Sequence, residues 1–315
     1  MTRTQGGDRQ ILRELGLQVG EIAALPQQET TRQHWVALNG LRPTRPMVVI
    51  DQIPWHEMGV DGELGLLCVD PLNRQVETDL RRRLYKWRHM RDDQVIEPSV
   101  DVSAVIHGLG FGIQVQEERA VSDPHNDVVG HRYVDQIRTE QDLEKIQFHD
   151  VHFDVEATAE RVGPLEEILD GILEVRVQGA LPVFSAWDQL VTWRSPEGIL
   201  LDIMDRPDFI HQLIERYTTA SLAQLDALQE QGLLGHGQFT IHCTGAYSDE
   251  LPAAGFDPDH PRACDLWTHG MAQIFSTVSP AMHKESWLDY AFRWFERFGL
   301  GYYGCCVPLH NKIDI

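Results

Sequence analysis

LGYYGCCVPLHNKIDI, residues 300–315, reads as a short glycine and aromatic strand, Leu300 to Cys305, running directly into the vicinal thiols Cys305 and Cys306. Side chains at the C-terminal ends of strands carry the chemistry of α/β folds. The residues after Cys306 read as the start of a helix, with Lys312, Ile313 and Ile315 meeting no element to pack against, so the chain reads as cut short. The same strand-into-polar-loop pattern recurs upstream. Met47 to Ile50 is an apolar run leading into Asp51 and IPWHEM, Val100 to Val115 is extended with Gly108, Gly110 and Gly112 in it, Ile172 to Val177 precedes FSAWDQLVTW, and Phe239 to Cys243 ends in His242 and Cys243. Between these runs the apolar spacing is helical over 79–89, 139–146, 158–169, 202–231, 266–278 and 282–298. Alternation of strand and helix without hairpin signals predicts a parallel sheet, its strands near 47, 100, 172, 239 and 300 side by side and helices outside.

Residues 8 to 40 read as polar and helical, an N-terminal arm over 1–41, leaving 42–315 as the main domain. With 315 residues, 42% hydrophobic and 24% charged, the chain has an ordinary globular composition. A formal net charge of −21 argues against nucleic acid, which calls for a basic stripe. Arg81, Arg82 and Arg83 form the one basic run, read as a solvated helix face or as a grip on an anionic substrate tail. No window approaches the roughly 18 apolar residues of a membrane span and MTRTQGGDRQ lacks a signal core, so the expectation is a cytoplasmic protein. Five cysteines, at 68, 243, 264, 305 and 306, do not make a disulfide framework and are expected to be reduced. GLGFG (108–112) lacks the lysine and spacing of a phosphate loop.

FSTVSPAMHKESWLDYAFRWFERFGLGYYGCCVPL (275–309) resembles the uroporphyrinogen decarboxylase superfamily, most closely its subgroup related to corrinoid-linked methyltransferases. LRRRLYKWRHMRDD (80–93), the stretch 185–214 from Ser185 to Ile214, and AYSDELP (246–252) share that likeness. The resemblance implies a parallel (β/α)8 TIM barrel, truncated here after its fifth strand, with the active site at the strand ends. It implies methyl transfer between a small methylated substrate and a corrinoid protein, with zinc activating the substrate. The decarboxylases carry an arginine-rich motif after the first strand, and IDQIPWHEM (50–58) has no arginine. Cys305 matches the family's cysteine, whereas Tyr303 stands where its histidine would be and Val307 where the subgroup carries an acid.

The expected metal ligands are therefore Cys305, Cys306 and His242, with Cys243 and His310 as other sources of the third, since catalytic zinc takes three protein ligands and keeps one position open. Asp249, Glu250 and Asp188 are the candidate catalytic acids and bases; for Asp249 and Glu250 a helix cap and a loop ion pair are the alternative reading. Trp55, His56, Trp187, Tyr247 and Tyr303 are the candidate substrate wall, an aromatic surface with a few polar groups, or else plain closure of the core. Trp287, Tyr290, Trp294 and Phe298 have helical spacing and read as core. Two other functions stay open beside methyl transfer: decarboxylation of a tetrapyrrole precursor, and a non-catalytic small-molecule-binding barrel. A homo-oligomer is an open option, and no nucleic acid or membrane partner is expected.

Overall fold

The computed structural model describes residues 5–122, 129–304 and 306–315. The chain divides into two compact units, one of Met1–Val105, Asp154–Gly179 and Cys243–Asp249, the other of Ile106–Phe153, Ala180–His242 and Glu250–Ile315.

In the first unit, helices Gln5–Ala23, Pro71–His89 and Val155–Leu169 pack on a parallel strand pair, Ser99–Ser103 with Glu174–Gln178. The shared core runs through Leu12, Val19, Leu80, Leu84, Val100, Leu165 and Leu169. Pro26–Asn39 is a separate helix, started by Pro26 at a position where the missing N–H costs nothing. Asp70 caps Pro71–His89 by accepting from the Leu72 and Asn73 N–H groups.

In the second unit, helices Ala186–Arg194, Pro196–Asp205 and Pro207–Glu230 surround a core of Phe184, Trp187, Leu190, Leu213, Trp287 and Trp294. The helix expected over 202–231 is thus two helices, broken at Arg206 because Pro207 cannot continue the ladder. Trp267–Gly270 and Leu300–Tyr303 pair in parallel. Gly270 and Gly301 let the Phe295 ring lie on this pair: a Cβ on Gly301 would come within 2.7 Å of the ring, and one on Gly270 within 3.1 Å of it.

The fold expectation is corrected by this architecture. Among the described residues the strands are short and pair two by two, and no parallel (β/α)8 barrel sheet, whole or truncated, is formed. Met47–Ile50 is not a strand: Val48 N–H is taken by the Asp93 carboxylate and Ile50 N–H by that of Asp92, so these donors are satisfied by side chains rather than by a ladder. The 239 run shrinks to Thr240–Ile241. Residues 267–270, expected in a helix, are the strand beside 300–303, with the buried Thr268 hydroxyl donating to the Pro182 carbonyl and accepting from Trp294 Nε1. Nor is all pairing parallel. Glu117–Ala120 with Gly130–Tyr133, and Ile106–His107 with His152–Phe153, are antiparallel.

Candidate functional site

Asp188 is the third residue of helix Ala186–Arg194, where the helix dipole favours negative charge. Burial wins over that preference. It pushes the carboxyl up to about 6, against a single opposing hydrogen bond from the Gln273 backbone. Oδ2 is buried with no partner. Around it the walls are aromatic. Trp187 is fully buried, its Nε1 donating to the Ser286 carbonyl at 3.0 Å and its ring 5.0 Å from Phe275. Tyr217 and Tyr303 both have their hydroxyls pushed up, mainly by burial and further by the Asp188 charge.

Tyr303 ends the strand Leu300–Tyr303, and its hydroxyl lies 2.6 Å from His283 Nε2. His283 closes the short helix Pro280–His283, which Ser279 caps. Its other nitrogen, Nδ1, is 3.2 Å from Lys312 Nζ, which donates to the Phe275 carbonyl at 2.6 Å. Burial, and then the Lys312 charge, push His283 down to about 4, so it is neutral at pH 7. Lys312 is itself buried rather than partnerless, while Ile313 is 78% exposed. The structure thus brings together Asp188, Trp187 and Tyr303 of the expected set and adds Tyr217, His283 and Lys312. His283 ends SPAMH (279–283), inside the stretch that carries the family resemblance, and its imidazole is the signal that could have found it. Tyr217 and Lys312 carry none beyond residue type.

His242 takes a left-handed backbone, φ 50°, uncommon without glycine. Its ring stacks on Tyr302 at 5.9 Å and meets His269 edge-on at 5.2 Å. His269 Nδ1 is buried without a partner, and burial, with His242 behind it, lowers its pKa. Cys306 is exposed, and Cys305 lies outside the described residues. Among the described residues no three His, Cys, Asp or Glu side chains gather so that they could hold a metal ion.

The other expected site residues sit elsewhere. In the first unit, Arg42 bonds Asp249 at 2.7 Å and holds its carboxyl below the usual range. Tyr247 donates to Glu97 at 2.6 Å beneath the Arg32 guanidinium, 5.4 Å from its ring. Trp55 lies 6.0 Å from Tyr85 and under Arg82, and the exposed His56 is 3.5 Å from Glu57. The arginine run is engaged with the protein itself: Arg81 with Glu77, Arg82 over Trp55, Arg83 with Asp79. Glu250, in the second unit, is exposed. Trp287, Trp294 and Phe298 are core, as their spacing predicts, and Tyr290 bonds His211 at 2.8 Å.

No described helix is long and apolar enough to cross a membrane. No family model, curated protein or solved structure matches this chain.

Proposed function

We propose that the chain is an enzyme that moves a methyl group from a small methylated substrate to a corrinoid carried by a partner protein, with Asp188 as the proton donor to the leaving heteroatom. The observation that carries this reading is the Asp188 carboxyl itself, half-buried near Tyr217 and Tyr303 with one oxygen buried and unpartnered and its pKa at about 6. A group poised near neutrality can hold a proton and release it as negative charge develops. In the reaction the bond between methyl carbon and heteroatom breaks, its electron pair stays on the heteroatom, and the Asp188 proton goes to that atom. The carboxylate left behind takes up a proton from solvent. The corrinoid, when bound, supplies the nucleophile that accepts the methyl group. The likeness of residues 275–309 to corrinoid-linked methyltransferases supports the choice of reaction.

Zinc is a separate part of the proposal, because His242 and Cys306 alone do not make a metal site, and the proton transfer stands without it. Cys305, Cys306 and His242 would be its ligands. Metal analysis of the purified chain tests this: Cys305→Ser should lose most of the zinc, while Cys68→Ser and Cys264→Ser keep it. One zinc per chain in both wild type and Cys305→Ser would discard the assignment.

The reaction is tested by mixing the chain with a reduced corrinoid protein and a panel of methoxy, methylamino and methylthio compounds, following the corrinoid absorbance. At least one compound should be demethylated, with Asp188→Asn slower by about a hundredfold or more and the wild-type rate falling as pH rises through about 6. Failure of the whole panel, or an Asp188→Asn variant as fast as wild type, would overturn it. Aspartate beside tyrosines is also a grouping that would suit decarboxylation of a pyrrole carboxylate. Carbon dioxide released from a porphyrinogen without corrinoid would move the site to that reaction.

A further inference from the structure

Lys312 is a buried cation without a counter-ion among the described residues. Its side chain belongs to a residue only 5% exposed, and the acceptors of its Nζ are the Phe275 carbonyl and His283 Nδ1, both uncharged at neutral pH. Among the described residues no carboxylate pairs with it. Removing an ammonium from water without an anion is unfavourable, and the group is relieved either by losing its proton or by gaining a negative partner.

Hydrogen-bond direction extends the same polar end. An ammonium has three donors and no acceptor, so His283 Nδ1 must accept from Lys312. The neutral imidazole then carries its hydrogen on Nε2 and donates to the Tyr303 oxygen, 2.6 Å away. This leaves the Tyr303 hydroxyl hydrogen free to donate elsewhere, alongside the third donor of Lys312.

Both residues, with His283, form the polar end of a cavity of about 400 Å³ whose other lining side chains are hydrocarbon, Phe292, Phe295, Leu309 and Ile313 among them. That volume is in the range of small-molecule sites. We propose that this cavity binds a small aliphatic carboxylate, its head group held by Lys312 and Tyr303 and its chain against Phe292, Phe295, Leu309 and Ile313. Charge complementarity selects the occupant: an alcohol or hydrocarbon of the same length fills the apolar wall but leaves Lys312 unpaired. Tyr303 is shared with the Asp188 site, yet the inference concerns binding alone and stands whether or not methyl transfer occurs.

The experiment compares octanoate with 1-octanol, by calorimetry and thermal melting, on the wild-type chain and on Lys312→Met and Lys312→Arg. Octanoate should bind wild type one to one, at least about tenfold more tightly than 1-octanol, and raise its melting temperature. In Lys312→Met the two should bind alike, and Lys312→Arg should restore the preference. Equal binding of the two ligands by wild type, octanoate uptake at many sites, or a preference that survives in Lys312→Met overturns the proposal. The wild-type comparison decides by itself if neither variant folds.

Discussion

Glu77, fully buried in the first unit, and Asp188, half-buried in the second, are carboxylates that end in opposite electrostatic states. Burial works to raise the Glu77 pKa, but N–H groups of Cys68 and Leu67 at 2.8 and 3.0 Å, with Arg81 Nε at 2.8 Å, together hold it below the usual range. Asp8 follows the same pattern, with Val69, Asp70 and Asn73 as donors. Asp188 meets one backbone donor and keeps an oxygen bare. Depth of burial alone would put them in the reverse order, since Glu77 is 0% exposed and Asp188 is only half-buried. The number of donors separates them. A carboxylate whose lone pairs are filled ties chain segments together, and one left short of donors is available to another molecule.

Removing the satisfied acid should have the largest effect. Glu77→Ala leaves Arg81 and two backbone N–H groups without their acceptor and should cost about 3–5 kcal/mol in denaturant unfolding. A cost no greater than that of Asp188→Ala would break the contrast.

Asp188→Asn should act the other way. Its raised folded pKa means the native state binds more protons than the unfolded chain between about 4 and about 6, so wild-type stability linked to Asp188 falls as pH rises through that window and stays low above it. Asparagine removes this, for a gain of about 1–2 kcal/mol at pH 7 after allowing for partial exposure. The gain should vanish near pH 4. Equal stability of wild type and Asp188→Asn across the whole range would show the carboxyl to be solvated.

His283 sharpens the comparison with a slope of opposite sign. A histidine lowered from 6.5 to about 4 favours the unfolded chain as it protonates, so its contribution is present above 6.5 and lost as pH falls toward 4. Relative to His283→Asn, wild type should weaken on acidification, as read from melting temperatures at pH 7 and pH 4.5. Smallest of all is the exposed Arg42–Asp249 pair. Asp249→Asn should shift the melting temperature too little to resolve.

Helices were the legible part of the fold, because their cues are local. Ile210, Leu213, Ile214, Tyr217, Leu225 and Leu228 repeat at the helical period and all are buried on one face of Pro207–Glu230. Strand pairing is a relation between distant segments, and here local pattern misled. MVVI at 47–50 has strand composition but surrenders its N–H groups to Asp92 and Asp93, whereas the polar WTHG at 267–270 pairs with LGYY at 300–303. Within the candidate site, Asp188, Trp187 and Tyr303 could be named from composition around a loop. Lys312 could not, since an isolated lysine in a polar tail reads as solvent-facing, and its partners, the Phe275 carbonyl and His283 Nδ1, lie 37 and 29 positions earlier.

The two glycines beneath Phe295 bear on which molecules the cavity admits. The ring is both a neighbour of Gly270 and Gly301 and part of the cavity wall. Anything larger than hydrogen at residue 301 would move the ring, and with it the boundary that a bound chain meets. Gly301 itself lines the cavity, so ligand length is gauged by a methyl group present or absent on a strand of the wall, rather than by any residue that recognises the ligand's charge. A Gly301→Ala variant would in that sense be a shorter ruler with the same handle.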